Sequence, residues 1–230
     1  MFFGPDILAM PLAMALAASP AGHSLDCIMP KAPQVSVKVI TADIRYDFSK
    51  SSRDLSLLKG DSVSPYAPGS DVVSGGLRED HPSINTQMEW EVEIDQRRNV
   101  ACMWYQKITV QIRLEPKIYV AREFNNGPCR DAVLQHEHKH VDMDRIVLNK
   151  FAADTGQAVQ KAVDSTGVLG PFNYSDVEQV KDRASRQIEA VMDARRAQME
   201  KDMAARQSQI DSLAEYERVS QFCQNIKVGP

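Results

Sequence analysis

No block of lysine or arginine occurs in this chain of 230 residues, and its net charge is −4. Nucleic acid is therefore not an expected partner, because a phosphate backbone is held by clustered positive charge. No apolar run is long enough to cross a bilayer. The longest, Ile7 to Ala18, has twelve residues, where a spanning helix needs about 20. Cysteine is scarce: Cys27, Cys102, Cys129 and Cys223 are the four, and no two of them stand in a C-x-x-C pair. That argues against a cysteine zinc site and against a dithiol redox pair. Internal repeats are absent as well.

What is present fits one globular domain. The hydrophobic fraction of 43% and charged fraction of 25% are ordinary, and the length allows a sizeable core. The run Ile7 to Ala18 is followed by Ser19-Pro20-Ala21, with small residues at the −3 and −1 positions of a cut after Ala21. Residues 1–21 thus read as a secretory signal peptide, although Asp6, and no basic residue, precedes the run. The mature chain, 22–230, is expected in the periplasm or outside the cell, with no stable membrane insertion after cleavage. An even cysteine count in an exported chain predicts two disulfides, with three possible connectivities.

Hydrophobic periodicity divides the mature chain. Val35, Val37, Val39 and Tyr46 alternate with polar residues, which predicts a half-buried strand over 34–48. Residues 49–85 are rich in Ser, Gly, Asp and Pro and read as a long loop, with one short ordered piece near Leu55 to Leu58. Met88 to Ile94 and Val100 to Val120 supply further strands, interrupted at Glu115-Pro116. The strand-rich half is 34–124. A long helix over 128–166 follows, opened by Pro128 and stopped by Gly167 and Gly170-Pro171. Ser175 with Glu178 suggests a capping box for a second helix over 175–222, long enough to imply a kink. Strands first and helices after predict an α+β fold, an antiparallel sheet packed on long helices.

The first long helix carries Gln135-His136-Glu137-His138-Lys139-His140-Val141-Asp142, which contains H-E-x-x-H. On a helix, residues four apart stand about 40° from each other with Cβ atoms roughly 6 Å apart. His136 and His140 can therefore reach one ion, and Zn2+ is the expected cofactor. Glu137 is turned away from that role and is placed as general base toward an attacking water. His138 points about 200° from His136 and should not share the ion. Asp144 lies two turns beyond His136, about 12 Å along the axis, too far for a ligand. Asp142 and Asp144 read instead as partners behind the ligands or as solvated acids. No third His follows at metzincin spacing, so a carboxylate of the last helix is expected to complete the set. If the two helices fold back around Gly170, residues near 201–205 face the pair, and Asp202 lies in that window. Asp211 and Glu215 lie about 9–15 Å further along and need a kink or an oblique crossing.

These residues resemble the bacterial family of predicted secreted zinc-dependent proteases, a domain of unknown function of the zincin type. The resemblance runs loosely from about residue 36 to 222. It is carried by His136-Glu137-His140-Val141-Asp142 and by Cys102 in a strand. Near its end the family tends to show Tyr-Asp followed by Thr-x-His-Gly. Here Ile210-Asp211-Ser212-Leu213-Ala214-Glu215-Tyr216 stands there, so the Asp is kept and the Thr and His are replaced by Ala214 and Tyr216. The resemblance implies a zincin-like fold and favours Asp211 and Glu215 as further metal ligands. It implies a metallopeptidase acting on a peptide or protein substrate. Ile118-Tyr119-Val120 is then a candidate strand for pairing with an extended substrate, and Tyr216 or His81 a candidate for stabilising an oxyanion. The alternative is a non-catalytic exported protein of the same fold, with a structural metal or a partner-docking helix.

Overall fold

The computed structural model describes residues 26–58, 72–223 and 228–229. The stretch 1–21, which the sequence suggests is a signal peptide, and the centre of the polar segment, 59–71, lie outside them. In chain order the elements are β1 (Gln34–Thr41), β2 (Arg45–Asp47), α1 (Ser52–Leu57), β3 (Val73–Ser74), β4 (Gly76–Glu79), β5 (Ser83–Asp95), β6 (Val100–Leu114) and β7 (Lys117–Val120). Then come α2 (Gly127–Thr166), β8 (Leu169–Asn173), α3 (Val177–Ile210), α4 (Leu213–Phe222) and β9 (Val228–Gly229).

The α+β class holds, but the main sheet is mixed rather than antiparallel. β5 and β6 form a long antiparallel hairpin, with Asn99 at φ 55° in its turn. An antiparallel pair needs only a short turn, which is why that pairing follows from the sequence. The other edge of β6 is shared: β8 pairs antiparallel with its start and β1 pairs parallel with its end, Gln34 opposite Lys107 and Thr41 opposite Leu114. No tight turn joins β1 to β6, so nothing local sets their direction. The interruption at Glu115-Pro116 carries the chain from β6 into a second sheet of order β2-β7-β4. β1 breaks at the same level, with Ala42 N–H donating to Leu114 O and Arg45 N–H to Pro116 O. The expected single strand over 34–48 is thus two strands in two sheets. β7 is the middle strand of its sheet, with both edges occupied by β2 and β4, so Ile118-Tyr119-Val120 cannot receive a substrate strand.

Pro128 occupies the first turn of α2, and Gly167 at φ 57° closes it with its N–H on Val163 O at 3.1 Å. This one helix serves two cores. Val133 and Val141 pack with Ile118, Val120 and Val219 beside the small sheet. Val147, Leu148, Phe151 and Val163 pack with Ile108, Val110, Ile112 and Ile188 on the main sheet. The H-E-x-x-H turn lies at the seam between them.

The expected capping box at Ser175 does not form. Residues 174–176 make a tight 3-10 turn, the Ser175 hydroxyl bonds Asp176 Oδ1 at 3.1 Å, and no side chain caps α3. The expected helix 175–222 is broken at Asp211-Ser212. There Ser212 caps α4, its hydroxyl accepting from Glu215 N–H at 3.3 Å. Two disulfides are present, Cys27–Cys102 and Cys129–Cys223, in keeping with an oxidising compartment. No helix of the described residues is long and apolar enough to cross a membrane.

Candidate metal centre

His136 and His140 project from one face of α2 into the seam, 4 % and 2 % exposed, with their Nε2 atoms 3.2 Å apart. Asp211 at the end of α3, its N–H still on Gln207 O at 3.2 Å, comes level with them. Its Oδ1 lies 3.0 Å from His140 Nε2 and 3.4 Å from His136 Nε2. The three side chains could hold a metal ion. The donor set fits such a group: Asp211 Oδ2 is buried with no hydrogen-bond partner, and a carboxylate oxygen left so is strongly disfavoured unless a cation satisfies it. The Tyr216 hydroxyl donates to Asp211 Oδ1 at 2.8 Å. Burial pushes the Asp211 carboxyl up, but contacts from His136, His140 and Tyr216 prevail and hold it well below the usual range. For His140, burial disfavours the charged form, yet Asp211 and Glu137 beside it raise its proton affinity.

Glu137 is buried, 4 % exposed, between α2 and β4. Burial pushes its carboxyl up, opposed by His136 and His140. Among the described residues it makes no hydrogen bond or ion pair, so its carboxyl is not tied into the scaffold. Gly76 of β4 lies directly against it: a Cβ there would stand 2.6 Å from Glu137 Oε1 and 2.6 Å from Val133 Cγ1.

Glu215 takes a different place from Asp211. Its Oε1 lies 3.5 Å from His136 Nδ1, the nitrogen facing away from the cluster. Lys139 at 2.7 Å and Arg218 at 2.7 Å grip the same carboxylate. Burial opposes ionisation of Glu215, but the two cations pull it down to about 2. It makes no hydrogen bond to His136 Nδ1, which is buried without a partner, and it stands outside the cluster of His136, His140 and Asp211. Asp144 is fully buried behind His140, where it accepts from Gln207 and from Arg78. Asp142 is exposed, paired with Arg145 at 3.0 Å. His138 faces outward to the Tyr46 hydroxyl at 3.0 Å. Tyr216 is buried with its hydroxyl on Asp211, while His81 is exposed at a cleft shared with Arg78 and Gln207. Neither stands as a free donor over the cluster.

Asp202 is away from the histidines, lining a small cleft with Lys150 and Phe151. The reason is the helix register. Asp154 pairs with Arg195 and His140 with Gln207, which centres the hairpin on residues 173–175 and not on Gly170. No family model matches this chain, and no curated protein or solved structure matches it.

Three residues of the site escaped the sequence reading. Gly76 and Arg78 belong to a short strand inside the segment read as loop. The pair Gly75-Gly76 was its only signal, since Gly in a strand marks a close backbone approach. Gln207 had no signal, being one polar residue among many on α3.

Proposed function

We propose that this protein is an exported zinc-dependent hydrolase, a peptidase by class, acting on a peptide or protein substrate. The observation that carries this is the spacing of the donors. His136 Nε2, His140 Nε2 and Asp211 Oδ1 stand 3.2, 3.4 and 3.0 Å apart. Neighbouring corners of a zinc tetrahedron with bonds of about 2.0–2.1 Å stand about 3.3 Å apart. Three protein donors is also the count of catalytic zinc sites, which keep a fourth position for water or substrate. Zinc bound there would supply Lewis acidity to water and to a scissile carbonyl. Glu137 takes the proton of the attacking water and returns it to the leaving amine. Its buried carboxyl, with raised proton affinity and no partner in the scaffold, suits that exchange. The resemblance to predicted secreted zinc-dependent proteases, and with it a zincin-like fold, is part of this reading and rests on the H-E-x-x-H residues and Asp211.

A second reading is favoured by burial. His136, Glu137, His140 and Asp211 are each 4 % exposed or less, as befits a closed structural site. Metal analysis beside a broad peptide-cleavage assay separates the two. On the hydrolase reading, Glu137→Gln retains zinc and loses about 10²–10⁴ in rate. His136→Ala, His140→Ala and Asp211→Ala lose the metal. A wild-type protein that holds zinc, unfolds on chelation and cleaves nothing is a structural metalloprotein. A wild-type protein that binds no zinc overturns both.

A further inference from the structure

We propose that Arg78, Asp144 and Gln207 form a relay that sets which nitrogen of His140 carries its proton, keeping the Nε2 lone pair directed at the metal position. The relay joins three elements and is buried throughout: Arg78 on β4 is 8 % exposed, Asp144 on α2 0 %, and Gln207 on α3 3 %. Its function toward a metal rests on the zinc reading above; its control of the tautomer does not.

The direction of each bond follows from what each group can do. The Asp144 carboxylate only accepts. Arg78 Nη1 donates to its Oδ2 and also to Asp80. Its Oδ1 takes a proton of the Gln207 amide, Nε2 to Oδ1 at 2.5 Å. The same amide nitrogen donates to the His140 carbonyl oxygen at 3.2 Å. Both neighbours of that nitrogen are thus pure acceptors, and the amide cannot be turned over without setting its oxygen against two oxygens. Gln207 Oε1 must then face His140 Nδ1, as it does. An amide oxygen accepts, so the relay places the proton on Nδ1; Asp211 Oδ1, 3.0 Å from Nε2, is a competing acceptor until a cation lies between them. The opposite tautomer would aim an N–H at the metal position. Arg78, two residues removed from any contact with His140, enters by holding Asp144 in place. These are positioning residues, not catalytic ones.

Nitrogen-15 NMR of the imidazoles in the metal-free full chain carrying Asp211→Ala, which removes the acceptor facing Nε2, reads the tautomer set by the relay at a pH where His140 is neutral. That background should show a protonated Nδ1 and an unprotonated Nε2, and the further changes are made within it. Asp144→Asn gives Gln207 a donor where it had an acceptor, so the amide can turn over and the proton should move toward Nε2. Gln207→Met, which leaves the Arg78–Asp144 pair untouched, should yield a mixture; it serves if Asp144→Asn does not fold. The paired change Gln207→Glu with Asp144→Asn restores an acceptor at Nδ1 and a donor behind it. It should restore the Nδ1–H form and, with Asp211 intact, bind zinc more tightly than Asp144→Asn alone, by about the 10–100-fold that partners behind a ligand contribute. An Nε2–H form in the Asp211→Ala background, or a tautomer that neither Gln207→Met nor Asp144→Asn alters there, overturns the relay. A normal tautomer pattern in a protein that binds no zinc would instead overturn the metal reading and leave the relay standing.

Discussion

At Gly76 there is no room for a side chain. A Cβ would stand 2.6 Å from Glu137 Oε1 and from Val133 Cγ1, and both neighbours belong to a helix packed on two cores. Gly76→Ala therefore either displaces the Glu137 carboxyl or separates β4 from α2. Overpacking of this kind destabilises by about 1–3 kcal/mol. The expected outcome is a loss of stability in that range, read by denaturant unfolding. Peptide cleavage should fall further than the folded fraction does, with zinc retained, because His136 and His140 are not touched. Wild-type turnover in a fully folded Gly76→Ala protein would remove Glu137 from the base role or show that β4 can yield. The same residue marks a limit of the sequence. His136, Glu137 and His140 were legible because one helical turn fixes their relation. Gly76 meets Glu137 across 61 positions of chain, and the pair Gly75-Gly76 signals a close approach without naming its partner.

The elements carry the next constraint, the break between α3 and α4. An unbroken helix would carry Ser212 and the residues after it on along the line of α3. Instead the chain leaves the helix at Asp211 and restarts on the Ser212 cap. Ser212→Ala removes the hydroxyl that accepts from Glu215 N–H, at a cost of about 1 kcal/mol. That loss should appear first as fraying of α4, seen as faster amide exchange from 213 to 218. Asp211 and Glu215 flank the cap, so zinc affinity should fall as well, while exchange in α2 stays as in wild type. Unchanged exchange in α4 would mean that its packing and the nearby disulfide, not the cap, hold the break. A kink was legible from the length of the apolar stripe, but its place was not. The register of a helix hairpin depends on how the connection is used. Here 169–176 form β8 and a tight turn, where the sequence suggested a bare reversal at Gly170. That shift moves Asp202 away from the histidines and brings Gln207 and Asp211 to them. The parallel pairing of β1 was hidden for a similar reason: alternation tells which face of a strand is buried, not which neighbour it takes.

Across the whole molecule the candidate metal centre is built from two pieces of chain far apart in sequence, α2 with its histidines and the α3–α4 break with Asp211. The Cys129–Cys223 disulfide links the start of the one to the end of the other, across 94 positions, and both sulfurs lie in the core beside the small sheet. Cys27–Cys102 closes a loop of similar length, 75 positions, but ties the N-terminal segment to β6. In the chain-entropy picture each bridge contributes about 4.5 kcal/mol, with little to separate them. Their effect on the site should differ. Without Cys129–Cys223, α4 is held by its apolar face and the Lys139–Glu215 pair, and the position of Asp211 relative to His136 and His140 becomes variable. The Cys129→Ala, Cys223→Ala protein should therefore bind zinc less tightly than the Cys27→Ala, Cys102→Ala protein even where the two unfold at similar denaturant concentration. Chelator competition under conditions where both remain folded measures this. If both pairs weaken zinc equally, the disulfides act through overall stability alone, and the seam between the two cores is rigid enough to hold Asp211 without a covalent tie.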